Sequence, residues 1–350
     1  MKETIRMGQD ARVPARIKVV GVGGGGCNAV RRMMKRQQIP GVDYIVVNTD
    51  IKSLELVCGA LSIQIGTHFT RGFGAGGYAS MGEQAALESR FALERATKDA
   101  EMVFITAGMG GGTGTGASPV VAEIARQNGA LVIAVVTTPF FFEGKKRLMN
   151  ALDGLRKLVP KVNNIIIVPN DRLLQFGDHD VPMEEAFFMA DDVIAEGILS
   201  ISQLVNVPGE INVDLADVKR VISIPGATLM ATGWGEGRNG AQEAAERVIS
   251  NPLLNTDIKG AKGVLFCFSG GPDLMIGEVA RAADLIAKEV DPGALIFFGM
   301  NLPEDELKDK VKLTLVATGI KSPIYSTWLS EMGQNLKSAM PRISLTPLRR

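Results

Sequence analysis

The sequence predicts an α/β protein whose first domain is built on a parallel β-sheet. From residue 16, short apolar runs rich in β-branched residues alternate with segments of helical periodicity. The runs read IKVVGV, DYIVVN, MVFITA, LVIAVVT and NIIIVP. Continuous apolar strands of this kind are typical of a parallel sheet with helices on both faces. The pattern indicates a domain of about 180 residues.

The helical segments follow the strand-like runs in order. One begins after the glycines at 21–26, a loop follows DYIVVN, and two later helices read GASPVVAEIARQNG and KKRLMNALDGLRKLV. Residues 183–206 predict a long helix that Pro208 and Gly209 end. Beyond it, the strand-like VISIPGATLMATG, GVLFCFSG, ALIFFGM and KLTLVATG alternate with the helical AQEAAERVIS and LMIGEVARAADLIAKEV. This second lobe, which ends near residue 320, is α+β or α/β.

Composition excludes several classes of protein. The 350 residues carry 38 basic and 38 acidic side chains, so we expect no nucleic-acid partner. No apolar run approaches the roughly 20 residues that span a bilayer, and the first residues do not resemble a signal peptide. We therefore expect a cytoplasmic protein without direct membrane insertion. The three cysteines and two histidines are too scattered for a disulfide framework or a protein-borne metal site.

Three glycine-rich segments predict a phosphate-binding edge. They are residues 21–26, residues 72–77, and ITAGMGGGTGTG at 105–116, which has six glycines in twelve residues. The first and third follow strands and open helices, where unpaired N–H groups bind anions and glycine allows close approach. Carboxyl ends of parallel strands share one edge, so the three loops together suit a chain of phosphates. For any loop taken alone, a tight strand-to-helix turn is the alternative.

Two other phosphate-binding patterns are disfavoured. The spacing G-x-G-x-x-G, with Asp50 lying 24 residues beyond Gly26, also fits a dinucleotide-binding oxidoreductase. That class uses one glycine loop rather than three. A Walker A sequence is absent, so backbone amides and the dipole of a helix at 114–128 would hold the phosphates, with hydroxyls from Thr113 and Thr115 in place of a lysine.

Further matches carry a family resemblance. GVGGGGCNAV, GGGTGTG and PFFFEGKKR closely resemble the tubulin/FtsZ superfamily, and within it the bacterial-type FtsZ family. The likeness continues through VNTD, PND, AFFMADDV, NVDLADV, SNPLL and TLVATG, in order from residue 16 to 320. The resemblance implies a Rossmann-like parallel-sheet GTPase domain, a long central helix and a smaller α+β C-terminal domain.

The resemblance also implies six segments along the chain. We expect an N-terminal extension at 1–15, a GTP-binding domain at 16–181, a central helix at 182–208, a catalytic loop with its following helix at 209–224, a C-terminal domain at 225–320 and a short tail at 321–350.

By the same resemblance, GTP would be held by residues from several segments. The phosphate and ribose contacts would come from Gly24, Gly25, Gly26, Cys27, Asn28, Ala75, Gly76, Gly112, Thr113, Gly114, Glu143 and Arg147. Within this set Asn28 would lie near the base, and Ala75 and Gly76 near the terminal phosphate. Mg²⁺ would be held mainly through the phosphates.

Guanine would be read by Asn170 and Asp191, with Phe187 packing on the base. A carboxylate accepts hydrogen bonds from both the N1–H and the exocyclic amine of guanine, which adenine does not offer. From the residues alone, Asp191 fits a solvated helix position equally well, and Phe187 fits the core.

Asp214 and Asp217, three residues apart, predict a shared face at the start of a helix. Aspartates there are commonly caps that suit the helix dipole. The resemblance implies instead that both acids, assisted by Asn212, polarise the attacking water at the GTP of a neighbouring subunit. We therefore expect an assembly-dependent GTPase that forms a head-to-tail homopolymer and acts in cell division at the inner face of the membrane.

The chain departs from the family pattern in three places. Residues 74–79 read GAGGYA where the family pattern is G-A-G-A-N-P, so an alternative is a divergent FtsZ-like filament protein with slow or no turnover, serving another membrane-shaping or co-assembly role. Cys27 replaces a common glycine and predicts sensitivity to thiol reagents. Residues 321–350 lack the family's linker and terminal peptide, so either the tail is truncated or divergent, or membrane-tethering division proteins bind elsewhere.

Overall fold

The computed structural model describes residues 14–36, 38–173, 182–250, 258–302 and 305–320. The predicted tail at 321–350, and all but the last two residues of the predicted N-terminal extension, lie outside the described residues.

Six parallel strands form the sheet of the N-terminal domain. They are β1 (Ile17–Val22), β2 (Val42–Asn48), β3 (Leu61–Gln64), β4 (Met102–Gly108), β5 (Leu131–Thr138) and β6 (Asn164–Pro169). Their order across the sheet is β3-β2-β1-β4-β5-β6, and every neighbouring pair is parallel. The predicted parallel sheet is confirmed, and all six strands end at one edge, which we call the carboxyl edge.

Within the described residues, seven α-helices lie between these strands and an eighth follows β6. They are α1 (Gly23–Arg36), α2 (Ile51–Glu55), α3 (Thr67–Thr70), α4 (Ala79–Glu88), α5 (Arg90–Thr97), α6 (Thr113–Gln127), α7 (Lys145–Leu158) and α8 (Asn170–Leu173). The sequence analysis predicted only a loop after β2, where the structure has α2, β3, α3, α4 and α5. These elements have at most ten residues each, too few turns for a clear apolar period.

The long helix α9 (Met183–Asn206) has the bounds that the sequence predicts. Near its start, Phe187 contacts Phe140, which lies just beyond the carboxyl end of β5. At its last residue, the Asn206 amide donates to the carbonyl oxygens of Ala15 (2.9 Å) and Pro40 (2.8 Å), which precede β1 and β2. With 24 residues it is about 36 Å long, and it spans the sheet from the carboxyl edge to the opposite edge.

The C-terminal domain holds a five-stranded mixed sheet. Its elements are β7 (Gly209–Ile211), α10 (Leu215–Ile222), β8 (Ala227–Glu236), α11 (Gly240–Ile249), β9 (Gly263–Gly270), α12 (Ile276–Glu289), β10 (Leu295–Asn301) and β11 (Lys310–Ile320). The strand order is β8-β11-β9-β10-β7, with β11 antiparallel to both neighbours and β10 parallel to β9. This mixture confirms the α+β alternative for the second lobe. One parallel pair, Ile166 with Thr228, joins the two sheets.

The strand predicted from VISIPGATLMATG begins later than expected. Val221 and Ile222 belong to α10, because Asp214 caps that helix and its apolar residues are buried. The strand starts at Ala227.

The two domains share a hydrophobic core. One cluster of buried side chains joins strand β1, helix α9, helix α10 and strands of the C-terminal sheet, and includes Ile17, Ile198, Val218, Leu265 and Val316. Helix α9 is therefore packed in the core between the two domains and is not a loose linker. Across the described ranges, no helix combines the length and the apolar character needed to cross a bilayer.

Candidate functional site

The three glycine segments meet at the carboxyl edge of the first sheet. A Cβ atom on Gly23 would lie 2.7 Å from the backbone nitrogen of Gly114, so the first and third loops touch through their backbones. A Cβ atom on Gly112 would lie 2.7 Å from the Cβ atom of Ala75. Larger residues at these glycines would therefore separate the loops.

Two helices begin at this junction, and the first N–H groups of a helix have no partner within that helix. Helix α1 starts within the first glycine run, and Gly24 and Gly25 are exposed. Helix α6 starts at Thr113 after Gly112, which has no side chain to cap it. Neither helix has an acidic residue in its first turn. Unpaired N–H groups and the positive ends of two helix dipoles make this junction suited to anions.

The threonine hydroxyls are already engaged. The Oγ1 atoms of Thr113 and Thr49 are 2.6 Å apart, and the Gly110 N–H donates to Thr115 Oγ1 at 2.7 Å. These bonds fix the shape of the third loop, because they tie it to the residue after β2 and close its own turn. Both hydroxyls thus have a partner within the chain, and their role in place of a lysine stays a prediction.

Cys27 points away from the loop surface. Its side chain is 1% exposed and packs in the hydrophobic core beneath α1. Burial raises the pKa of the Cys27 thiol to about 12. A buried, protonated thiol is inert, so the predicted sensitivity of this loop to thiol reagents is wrong. Only the backbone of Cys27 remains available to a ligand.

A buried polar group marks the end of β6. Asn170 is the first residue of α8 and is 5% exposed. Its Oδ1 atom has no hydrogen-bond partner among the described residues. Leaving a buried amide oxygen unpaired costs free energy, so the arrangement indicates a ligand that brings a donor.

Asp191 lies on α9, in an ion pair with α1. Arg32 Nε donates to Asp191 Oδ2 at 3.2 Å, and both side chains are largely buried. Burial raises the pKa of Asp191 to about 6, although the charge and hydrogen bond of Arg32 oppose the shift. The Arg32 guanidinium also lies 4.0 Å from the centroid of the Phe188 ring.

Phe187 sits beside these groups and is 37% exposed. Its ring meets the Phe140 ring edge-on, with centroids 5.1 Å apart. Its exposure excludes a purely core position. In the first loop, Asn28 Oδ1 accepts from Arg31 at 3.2 Å and is half-buried.

Two carboxylates hold the turn between β5 and α7. Glu143 Oε1 accepts from the Phe140 N–H at 2.9 Å, and Glu143 also pairs with Arg147. Asp171 Oδ1 accepts from the Phe141 N–H at 2.8 Å, and burial raises the pKa of Asp171. This turn connects the site of Asn170 with the start of α7.

The acids of the 209–224 segment lie elsewhere in the chain. Asp214 is the N-cap of α10 and accepts from the Asp217 N–H at 2.9 Å. Asp217 is 3.9 Å from Arg220, and the amide of Asn212 bonds both the N–H (2.8 Å) and the carbonyl (3.1 Å) of Gly209. Capping, the alternative raised from the sequence, describes the local geometry of Asp214.

These acids are remote from the glycine loops of their own chain. A Cβ atom on Gly299 would lie 2.7 Å from Leu204 Cδ1 and 3.2 Å from Val213 Cγ2. The residue before Asp214 is therefore beside the C-terminal end of α9. That end lies at the sheet edge opposite the glycine junction, so one chain cannot bring the two groups together.

Sequence reasoning missed three residues of the site, namely Arg32, Phe188 and Asp171. Arg32 carried a usable signal, because it lies four residues after Asn28 on one helix face. Asp171 and Phe188 directly follow Asn170 and Phe187. Within the described ranges, no group of three or more His, Cys, Asp and Glu side chains is arranged to hold a metal ion.

Comparison with known proteins agrees with this architecture. Residues 16–178 match the GTPase domain of the tubulin/FtsZ family, and residues 226–321 match the C-terminal domain of the FtsZ family. The fold and the two matched domains define a protein of the tubulin/FtsZ class.

Solved structures refine this class. An empty FtsZ dimer from M. jannaschii is 39% identical over 88% of this chain and 89% of that chain, with a TM-score of 0.83. A protofilament of CetZ2 from Haloferax volcanii with GTPγS bound is 22% identical over 90% of this chain and 97% of that chain, with a TM-score of 0.76, which shows the fold alone. The chain belongs to the FtsZ family.

Family membership removes the oxidoreductase alternative. Asp50, the acid on which that alternative depended, is the N-cap of α2 and accepts from the Lys52 N–H at 3.1 Å. Its carboxylate also accepts from the Ser53 hydroxyl at 2.7 Å.

Proposed function

We propose that this chain is a self-assembling GTPase whose active site is completed by a second copy. The observation that carries the proposal is the separation of two incomplete half-sites. The glycine junction lies near one end of α9, which is about 36 Å long, and Asp214 follows the other end. A head-to-tail contact between two copies would bring these ends together.

In this proposal the phosphates of GTP lie on the amides at the starts of α1 and α6, with Ala75 and Gly76 at the terminal phosphate. Glu143 and Arg147 lie at the ribose and phosphates. Mg²⁺ bound through the phosphate oxygens would neutralise part of their charge. The chain's own contribution is a rigid set of donors, because each loop is packed against the next.

Guanine is recognised by hydrogen-bond acceptors at two points. The unpaired Oδ1 of Asn170 accepts a donor of the base, and the Asp191 carboxylate accepts from the N1–H and the exocyclic amine. Arg32 holds Asp191 in place and favours its ionised form. The half-exposed ring of Phe187 supplies a face on which the base packs.

Hydrolysis requires an oriented water, which the glycine loops cannot provide. In the assembled pair, Asp214 and Asp217 of one copy, assisted by Asn212, polarise the water that attacks the terminal phosphate in the next. Asp214 and Asn212 are exposed, as groups that face another molecule must be. Hydrolysis then depends on assembly.

The M. jannaschii relative supports self-association, since it is 39% identical and is described as an FtsZ dimer. We extend the proposal to a division-ring filament at the inner face of the membrane, recruited by membrane-tethering division proteins. The filament subunit would then consist of the GTP-binding domain, the central helix, the catalytic segment and the C-terminal domain, expected at residues 16–181, 182–208, 209–224 and 225–320.

A second candidate is an FtsZ-like filament with slow or no GTP turnover. The second glycine loop favours it, because an exposed Tyr78 stands within GAGGYA, where the family pattern is G-A-G-A-N-P. Phosphate release and light scattering, followed together after GTP and Mg²⁺ are added, separate the candidates. Hydrolysis that rises only above a critical protein concentration supports the first, and filaments without phosphate release support the second.

The catalytic assignment is tested with Asp214→Asn. Asparagine caps helices as well as aspartate does, so α10 keeps its cap while the carboxylate is lost. We expect unchanged GTP affinity and melting temperature, and a fall in turnover of about 10²-fold or more. Asp214→Ala, which removes the cap as well, should also cost about 1 kcal/mol of stability. Full turnover by Asp214→Asn would refute the role of this acid.

A further inference from the structure

The second glycine loop adopts a backbone that few residues other than glycine allow. Gly72, Gly74, Gly76 and Gly77 have φ angles of 82°, 86°, 59° and 80°. Glycine reaches these angles easily, but it also has the most conformational freedom to lose when the backbone is fixed. A loop of this composition needs contacts from outside itself to hold one shape.

Ala75 and Tyr78, which we call the base of the loop, are held in place by the third loop. Ala75 is buried against Gly112, and the Tyr78 N–H donates to the Ala75 carbonyl at 3.0 Å. Gly74 and Gly77, which we call the tip of the loop, have no such packing. Cβ atoms placed on these two glycines would meet no atom within 4 Å. Packing therefore holds the base and leaves the tip unsupported.

Two side chains of α7 reach the tip. Asn150 Nδ2 donates to the carbonyl of Gly77 at 3.0 Å and to that of Gly110, in the third loop, at 3.3 Å. Lys146, one turn earlier on the same helix face, places its Nζ 5.0 Å from the centroid of the Tyr78 ring. The Asn150 side chain thus connects the second and third glycine loops. The Lys146 ammonium contacts the Tyr78 ring, which follows the second loop.

We propose that Asn150 is a positioning residue that holds the second glycine loop at the terminal phosphate of GTP, with the Lys146–Tyr78 contact as a second tether. The proposal rests on the proposed function, because that function places Ala75 and Gly76 at this phosphate. Asn150 itself does not touch the nucleotide. Its effect passes through the Gly77 carbonyl to the backbone amides beside it.

This role predicts discrimination between GTP and GDP. Only GTP has the terminal phosphate, so a loosened second loop should weaken GTP binding and leave GDP binding nearly unchanged. A residue that merely supports the fold would affect both nucleotides equally. The difference between the two affinities is therefore the informative quantity.

The test compares Asn150→Leu, which removes the donor at nearly constant volume, with Asn150→Gln, which keeps the amide. Binding of GTP and GDP is measured by titration calorimetry at protein concentrations below assembly. We expect Asn150→Leu to weaken GTP about fivefold, the size of one ordinary hydrogen bond, and GDP less than about twofold. Asn150→Gln should recover part of the loss. Lys157→Met, which removes the surface ion pair to Glu83 from the same helix, is the matched control and should change neither affinity.

If Asn150→Leu does not fold, substitutions of Tyr78 test the proposal independently through the Lys146–Tyr78 contact. Tyr78→Phe keeps the ring under Lys146 and should bind both nucleotides as the parent does, whereas Tyr78→Leu should lose affinity for GTP selectively. Equal losses for GTP and GDP, or no loss in either leucine variant, would overturn the inference while leaving the proposed function intact. A parent chain that does not bind GTP would overturn both.

Discussion

Asp191 carries opposing physical demands. Burial raises the pKa of its carboxyl group, and Arg32, at 3.2 Å, opposes the shift without cancelling it. The ordinary pKa of 3.8 is thereby brought to about 6, close to the pH at which proteins work. The acid that we assign to guanine recognition should therefore respond to pH in the folded protein.

We predict that GTP affinity falls as Asp191 is protonated. With a pKa of about 6, the carboxylate is ionised at about pH 7.5 and mostly protonated at about pH 5, so affinity should fall about tenfold across that range. Equilibrium binding of GTP at fixed ionic strength measures this. Asp191→Asn serves as the control, because the titration of the nucleotide's own phosphates is common to both proteins. An equal pH dependence in the two would contradict the assignment.

Stability without nucleotide should move in the opposite direction. The folded-state pKa lies above the unfolded value, so the folded state binds the Asp191 proton more tightly. The contribution of this group to the free energy of unfolding is therefore fully present below about pH 4 and is lost as pH rises through about 6. The free energy of unfolding is measured by denaturing the nucleotide-free protein at several pH values. Comparison with Asp191→Asn then gives the contribution of the Asp191 carboxyl group.

At the scale of elements, the phosphate loops depend on a close contact between α4 and α6. A Cβ atom on Gly116, in the first turn of α6, would lie 1.9 Å from the Ala79 carbonyl oxygen and 2.6 Å from the Glu83 nitrogen. Both are backbone atoms of α4, which cannot rotate aside. The absence of a side chain at Gly116 therefore sets the distance at which the second loop approaches the third.

We predict that Gly116→Ala destabilises the protein by about 1–3 kcal/mol, although alanine favours helices, because α4 must move away. Gly277→Ala, also early in a helix, is the matched control. Its Cβ would meet only the flexible end of Arg281, at 3.7 Å, so its stability should stay equal or rise by up to about 1 kcal/mol. Urea denaturation measures both. Equal effects of the two substitutions would show that the contact has no energetic consequence.

At the scale of the whole molecule, α9 joins the two half-sites and both domains. Arg36 of α1 pairs with Glu196 of α9 at 2.7 Å, and Glu196 also pairs with Lys312 of β11. The apolar face of α9 lies in the core that it shares with the C-terminal sheet. The half-sites are thus held at a fixed separation by one packed body.

We predict that two inactive variants restore activity when mixed. Asp191→Ala lacks the guanine contact but keeps its acids, and Asp214→Asn binds GTP but lacks an acid. In random head-to-tail contacts, about a quarter of the interfaces pair a GTP-loaded Asp214→Asn face with intact acids. An equal mixture should therefore reach up to about a quarter of the parent turnover at the same total concentration.

The control mixture combines Asp214→Asn with a chain carrying both substitutions, and phosphate release is measured in each case. The control should stay inactive, because no interface then has intact acids. Turnover of the first mixture that does not exceed the sum of its components would exclude hydrolysis in trans.

Much of the fold could be predicted from local pattern. The strands β1, β4, β5 and β6 and the helix α9 showed clear apolar runs or periods, and the structure reproduces them closely. The helices α2 to α5 could not be predicted, because short elements are stabilised by what they pack against. The boundary of α10 was missed because Val221 and Ile222 suit strand and helix equally, and only their burial decides between them.

The sequence by itself determined the family and the phosphate edge, because glycine spacing and strand pattern act over a few neighbouring residues. Only the tertiary structure decided which polar groups are paired. It joined Arg32 to Asp191 across 159 positions, left Asn170 Oδ1 buried with no hydrogen-bond partner in the part of the chain that the structure describes, and placed the Cys27 side chain in the core. It also set the acids of the 209–224 segment at the far end of α9. Burial and long-range pairing depend on the packing of the whole chain, and no short stretch of sequence contains that information.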